Sequence, residues 1–178
     1  MSSFVFGICR YYQTTHYQPL SMNETKILPH KIIGVAVIWN QQGQILIDRR
    51  RQEGAMGGLW EFPGGKIELD ETIEECIQRE IKEELGIVVE VGEHLITIDH
   101  TYTQIRVTLT VHHCCLIQGV PQPIECDEVR WVSVDELETF AFPEANIQII
   151  AALREWENGE GDKGDKGDKG ESVIQNLH

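Results

Sequence analysis

Apolar residues fall along this chain in two rhythms, one suited to strands and one to helices. Residues 31–40, KIIGVAVIWN, are β-branched and nearly continuous, which predicts a buried strand. NQQGQ predicts a turn, and residues 45–50, ILIDRR, the returning strand. RQEGAMGG follows as a loop with three glycines. WEF is expected to be short and extended, because Pro63 pushes the residue before it out of the helical region. PGGKIELDE predicts a second loop. Residues 72–85 carry a helical period, and Gly86 stands where a glycine ends a helix. IVVEV, HLITIDHTY, IRVTLTVHHCCLI and VRWVSV predict four more strands. Ser133 and Glu136 have capping-box spacing for a short helix. Residues 144–157 predict a last helix with Ile147, Ile150, Ala151 and Leu153 on its apolar side.

This pattern fills one mixed α/β domain over residues 29–157, with a mixed sheet and helices on both of its faces. Residues 1–28 lack either rhythm and are expected to form a flexible extension. Residues 158–178 are expected to form a disordered tail, since GEGDKGDKGDKGE alternates charge and offers nothing apolar to bury. The start, MSSFVFGICRYY, has no basic residue ahead of its short apolar patch, unlike a signal peptide. No apolar run approaches a membrane span. The five cysteines are odd in number and lack a CxxC pair, so they read as reduced thiols of a cytoplasmic protein.

The formal net charge of −14 argues against a nucleic-acid polymer or an anionic membrane as partner. It leaves room for a nucleotide, because a divalent cation can join two anions. A monomer acting on a small molecule is expected.

The helix at 72–85 carries the chemistry. At about 100° per residue, Ile73, Ile77, Ile81 and Leu85 form the core stripe. Glu75, Gln78, Arg79 and Lys82 lie roughly opposite. Glu80, Glu83 and Glu84 fall in an arc that overlaps the Ile77 edge of the stripe. Carboxylates gathered on a partly buried patch repel one another and lose solvation, so a hard cation would stabilise them. An ordinary solvated charge run is the alternative. Oxygen ligands without histidine or thiolate favour Mg²⁺, with Mn²⁺ as a substitute. Pro63-Gly64-Gly65 ahead of the helix lets the backbone approach a ligand closely.

Gly65, five residues, Glu71, seven residues, then Arg79-Glu80-Ile81-Lys82-Glu83-Glu84-Leu85-Gly86-Ile87 match the whole signature of the Nudix hydrolases. The resemblance implies a Nudix α/β/α sandwich and divalent-metal-dependent hydrolysis of a nucleoside diphosphate linked to another group. It implies metal ligation by Glu80, Glu83, Glu84 and the Gly64 carbonyl, and a Glu71–Arg79 pair bracing the loop against the helix.

Outside the signature the chain resembles the MutT-like branch, the 8-oxo-dGTP diphosphatases. The likeness rests on Arg49-Arg50, on Trp60-Glu61-Phe62-Pro63-Gly64-Gly65-Lys66, on Trp131-Val132-Ser133, and on Phe142-Pro143-Glu144-Ala145-Asn146. Each candidate keeps a plainer alternative. Arg50 holds a phosphate oxygen or is a solvent-facing strand arginine. Phe62 stacks on a purine or is a core ring. Tyr102 falls near the branch's nucleoside-side aromatic. Glu125 matches a further carboxylate near the metals or is a solvated loop residue. Asn146 reads the base or caps the helix. His112, His113, Cys114 and Cys115 depart from the large apolar residues expected on their strand, and the short, proline-containing segment between Gln118 and Glu125 does not align residue by residue.

The implied reaction is in-line attack by water on a bridging phosphorus of a nucleoside triphosphate, giving monophosphate and pyrophosphate. Glu80, Glu84 or Glu125 would take the proton, with Glu80 preferred. The rival readings are a Nudix enzyme for ADP-ribose or dinucleoside polyphosphates, and a Nudix-fold module that senses a nucleotide without cutting it.

Overall fold

The computed structural model of the protein describes residues 27–161, with side chains as far as Gly159. The expectations for residues 1–26 and 162–178 fall outside the described residues. The elements run β1 (His30–Trp39), β2 (Ile45–Arg49), β3 (Trp60–Glu61), β4 (Gly64–Lys66), α1 (Ile73–Leu85), β5 (Val88–Tyr102), β6 (Ile105–Gln118), β7 (Glu128–Val132), a 3₁₀ turn (Asp135–Thr139) and α2 (Glu144–Gly161).

The seven strands form one mixed sheet in the order β3-β2-β1-β6-β5, with β4 also paired to β1 and β7 to β2. β1 and β6 run parallel, and their neighbours are antiparallel. Alternation along β1 divides the core in two. Val35, Val37 and Trp39 point to one face, where Ile149, Ile150 and Leu153 of α2 cover them. Ala36 and Ile38 point to the other, under Ile77, Ile81 and Leu85 of α1. The result is a helix–sheet–helix sandwich.

Three segments differ from the sequence reading. IVVEV and HLITIDHTY form a single strand, because register shifts near Val91 and His94 absorb the polar GEH without breaking the pairing to β6. α2 turns by about one residue from the expected phase. Ala145, Ile149 and Leu153, spaced by four, are buried with Ile150, whereas Ile147 is 52% exposed and Ala151 also faces outward. The same helix continues past residue 157 to Gly161, since neither proline nor a left-handed cap interrupts its ladder earlier. Residues 158–161 therefore belong to the helix and not to a tail. The PGG loop contains β4, whose Gly64 and Gly65 pair with Val35 and Gly34 of β1.

Among the described residues no helix is long and apolar enough to cross a membrane. Cys76, Cys114, Cys115 and Cys126 are all free thiols.

Candidate active site

Three walls meet at one end of the sheet. The first is α1. Thr72 caps it through a complete capping box with Glu75, and Gly86 closes it in the left-handed region at φ 69°. With Ile77, Ile81 and Leu85 locked into the core, Glu80 and Glu84 fall at the half-buried margin. The Glu83 side chain stands further out, at 58% exposure.

Arg79 organises this wall. Its Nε and Nη2 donate to the two carboxylate oxygens of Glu71 at 2.7 and 3.0 Å. Its Nη1 reaches Glu80 at 2.9 Å and Glu83 at 3.3 Å, and Nη2 also donates to the Lys66 carbonyl at 3.2 Å. Glu71 in turn accepts from the Glu68 amide at 2.9 Å. The glycine loop is thereby tied to the helix. The Arg79 fork and that amide hold the Glu71 carboxyl down at about 2. Glu80 lies flat on the backbone of Gly65: a Cβ there would sit 2.0 Å from the Glu80 carboxyl carbon. Only glycine permits that approach.

The second wall comes from β2 and β3. Leu46 and Asp48 share the α1 face of β2, and Asp48 pairs across the strands with Glu61. Asp48 is only 4% exposed. Arg50 donates from Nη1 to both oxygens of Glu61, at 2.8 and 2.7 Å, and from Nε to the Ala55 carbonyl at 3.2 Å.

The third wall is the loop before β7. The amides of Gln122, Ile124 and Glu125 donate to the last carbonyls of α1, Leu85 at 3.0 Å and Glu84 at 3.1 and 3.3 Å. This loop satisfies the helix end and carries Glu125 beside Glu84. Arg51 fastens it from across the cleft, donating to the Ile124 carbonyl at 2.7 Å.

The walls enclose a cleft of about 250 Å³ lined by Asp48, Arg50, Glu61, Glu84, Glu125 and their neighbours. Its electrostatics are unbalanced. Burial, then Glu61 and Glu84, push Asp48 up to about 8. Burial, then Glu80, Glu61 and Glu125, push Glu84 up to about 8. Burial also raises Glu61, partly offset by Arg50. Such groups ionise together only with more positive charge than Arg50 provides. An all-oxygen donor set of this charge fits a divalent cation such as Mg²⁺ or Mn²⁺. Among the described residues no three acidic, histidine or cysteine side chains already close around an ion position. Arg79 holds Glu80, and Arg50 holds Glu61.

Of the sequence candidates, Arg50, Glu84 and Glu125 line the cleft, with Glu80 on its Gly65 margin. Phe62, Tyr102 and Asn146 lie apart from it. Phe62 is 3% exposed, with its ring against Phe142 at 5.5 Å, in the core under α2. The core reading of Phe62 describes its packing, and no face of the ring is left open for a stacked purine. The cause is parity: Trp60 and Phe62 turn toward α2 while Glu61 between them turns toward the cleft. Tyr102 ends β5 half-buried, its ring edge-on to His100 at 4.3 Å. Asn146, buried at 8% exposure, accepts from the Phe62 amide at 3.3 Å.

Asp48 and Glu61 are two acidic cleft residues that reading the sequence missed. For Asp48 a signal was present, an acidic residue inside an apolar strand run at the parity of Leu46, which faces α1.

A family model described as the NUDIX domain matches residues 34–152. The chain is 34% identical over 122 residues to an 8-oxo-dGTP diphosphatase of Escherichia coli, spanning 68% of this chain and 95% of the relative. It is 33% identical over 118 residues to a CTP pyrophosphohydrolase of the same organism, spanning 66% and 87%. The fold overlays the crystal structure of a MutT protein from Methanosarcina mazei with a TM-score of 0.65 and 26% identity, over 75% of this chain and 96% of that one.

Proposed function

This chain belongs to the Nudix hydrolases, in their MutT-like branch, and from that premise we propose that it hydrolyses 8-oxo-dGTP to 8-oxo-dGMP and pyrophosphate. The observation that carries the hydrolytic part is the buried, undercompensated carboxylate cleft between α1 and β2. Glu80, Glu83, Glu84, Glu125 and the Gly64 carbonyl would hold a divalent cation there. That cation supplies charge neutralisation at the phosphates and lowers the pKa of the attacking water. The chain's own groups do the rest. Glu80, fixed between Gly65 and Arg79, would accept the water's proton. Arg50, which lines the cleft, would meet a phosphate oxygen. Glu71 and Arg79 would keep the glycine loop and the helix in register.

The choice of base rests on Asn146. In guanine, O6 and N7 both accept; oxidation at C8 puts a hydrogen on N7. An asparagine amide complements the oxidised edge, NH₂ to O6 and C=O to N7–H. The Phe62 amide, donating to the Asn146 carbonyl, opposes a flip of that amide, because the flipped NH₂ would face another donor. The carbonyl keeps its second lone pair for the base.

The deciding experiment compares kcat/KM for 8-oxo-dGTP, dGTP, CTP, ADP-ribose and diadenosine polyphosphates, with chromatography of the quenched products. Preference for 8-oxo-dGTP with monophosphate and pyrophosphate as direct products supports the reading. Preference for CTP, as in the second relative's name, or release of orthophosphate, overturns it.

A further inference from the structure

Arg50 and Arg51 both line the cleft, and they differ in what holds them. Arg50 is neutralised, because its Nη1 donates to both carboxylate oxygens of Glu61, at 2.8 and 2.7 Å. Arg51, an exposed residue, meets a neutral group: its Nη2 donates to the Ile124 carbonyl at 2.7 Å, across the cleft. A carbonyl leaves the guanidinium its charge and its remaining N–H groups. The loop that Arg51 reaches has other fastenings. The amides of Gln122, Ile124 and Glu125 tie it to the last carbonyls of α1, and the Asp127 amide donates to the Arg49 carbonyl at 2.8 Å. The loop that bears Arg51 is closed at its own base. There the Arg50 amide donates to the Leu59 carbonyl at 3.0 Å and the Gly58 amide to the Arg50 carbonyl at 3.1 Å. Just beyond, the chain folds back so closely that a Cβ on Gly57 would lie 2.2 Å from the Gln52 carbonyl oxygen. Arg51 thus presents to the cleft a charge that the backbone bonds around it do not require.

We propose that Arg51 is a substrate-binding residue, a phosphate contact beside Arg50, which takes a non-bridging phosphate oxygen with the N–H groups that the Ile124 carbonyl leaves unused. The inference rests on the reading of the cleft as the place where a nucleotide's phosphates are cut, and it adds to that reading a residue of the loop between β2 and β3. The exchange of partners favours Arg51 for this task. To meet a phosphate, Arg50 must give up a carboxylate, one anion for another. Arg51 shares or exchanges only a neutral carbonyl and gains a charge-assisted hydrogen bond. With the Ile124 bond kept, the guanidinium joins the phosphates to the loop that carries Glu125.

The test is binding of imidodiphosphate, a pyrophosphate analogue with NH in place of the bridging oxygen, to the full chain in Mg²⁺, read by calorimetry. Arg51→Met is expected to weaken it by about 10-fold or more, the scale of a hydrogen bond to a charged group. The loss should shrink near about 1 M salt, where exposed charges are screened. Arg51→Lys keeps the charge and should bind more tightly than Arg51→Gln, which keeps only a neutral donor. With a nucleoside triphosphate as substrate, Arg51→Met should raise KM more than it lowers kcat. A residue that merely fastens the Glu125 loop gives another pattern: kcat falls, imidodiphosphate affinity holds, and the lysine and glutamine variants behave alike. That pattern, or a loss of affinity that is the same at low and high salt, would overturn the proposal. Circular dichroism checks the fold of each variant, and the comparison of Arg51→Lys with Arg51→Gln carries the test if Arg51→Met fails to fold. A preference for CTP over 8-oxo-dGTP would sink the proposed substrate and leave this inference standing, because imidodiphosphate has no base. Preferred turnover of 8-oxo-dGTP, with imidodiphosphate affinity unchanged in Arg51→Met, would do the reverse.

Discussion

Replacing Asn146 by alanine separates base recognition from phosphate chemistry. The side chain is buried at the start of α2, and its carbonyl accepts from the Phe62 amide at 3.3 Å. Alanine removes two contacts to the oxidised base, NH₂ to O6 and C=O to N7–H. Leaving such partners unpaired in a dry pocket costs about 1–3 kcal/mol. At about 1.4 kcal/mol per factor of ten, kcat/KM for 8-oxo-dGTP should fall roughly 5- to 150-fold. Normal guanine keeps at most the O6 contact, so dGTP should fall less than about 5-fold. The substitution also strands the Phe62 amide, which should lower stability by about 1 kcal/mol, or roughly 3 °C for a domain of this size. Kinetics are therefore run well below the melting temperature, with both substrates at one fixed Mg²⁺ concentration. Asn146→Asp sharpens the result: it keeps an acceptor for the Phe62 amide but loses the donor to O6. Equal losses for 8-oxo-dGTP and dGTP, or no loss for either, would refute the role of Asn146 and return it to a helix-start residue that ties α2 to β3.

Activity should vanish with EDTA and return with Mg²⁺ or Mn²⁺, and Glu84→Gln should lower kcat by at least about 10²-fold in a steady-state assay, because it removes a cation-facing charge from the cleft; full activity in either case contradicts the cation assignment. Gly65→Ala should also cost about 10²-fold in kcat, since its Cβ would occupy the place of the Glu80 carboxylate; a fully active variant would show that Glu80 need not sit there. His113 gives the pH prediction. Burial, then His112, depress it to about 4, and Trp39 donates to its Nδ1 at 3.0 Å. A histidine with a lowered folded pKa contributes stability above about pH 6.5 that is lost as pH falls through 4, here on the order of 3 kcal/mol. His113→Asn retains an acceptor for Trp39 but cannot take a proton there, so the stability gap between wild type and variant should shrink on acidification from pH 7 to 4 in urea melts. A gap independent of pH would show that His113 is not held neutral.

How much of this was legible beforehand follows from what each segment's pattern had to decide. α1 announced itself because three signals agreed: the capping pair Thr72 and Glu75, the isoleucine stripe, and Gly86. Its carboxylates were legible because angular position alone sets Glu80 and Glu84 at the core margin. α2 was harder. Apolar residues at 145, 147, 149 and 150 suit more than one helical phase, and only the packing of Ile149 and Leu153 on the sheet selects among them. Phe62 and Glu61 were adjacent in one motif, and a two-residue strand is too short for alternation to declare which side chain enters the core. Pairing with β2 decides it, and that pairing is a long-range fact. Glu125 could be aligned but not placed, because its position depends on a loop that folds back on the carbonyls of α1.

The cleft also explains why so acidic a chain can act on a polyanion. With a formal net charge of −14, the protein's overall field opposes a triphosphate, and Debye screening weakens but does not remove that opposition within about 8–10 Å. Inside the cleft, Asp48, Glu61, Glu84 and Glu125 face Arg50 and Arg51, so the local balance is negative as well. Attraction must then come from something the carboxylates recruit. Burial makes that recruitment strong, because the same low-dielectric surroundings that raise Asp48 and Glu84 to about 8 amplify the pull on a divalent ion. The negative cleft is in this sense the device by which positive charge is concentrated at one point.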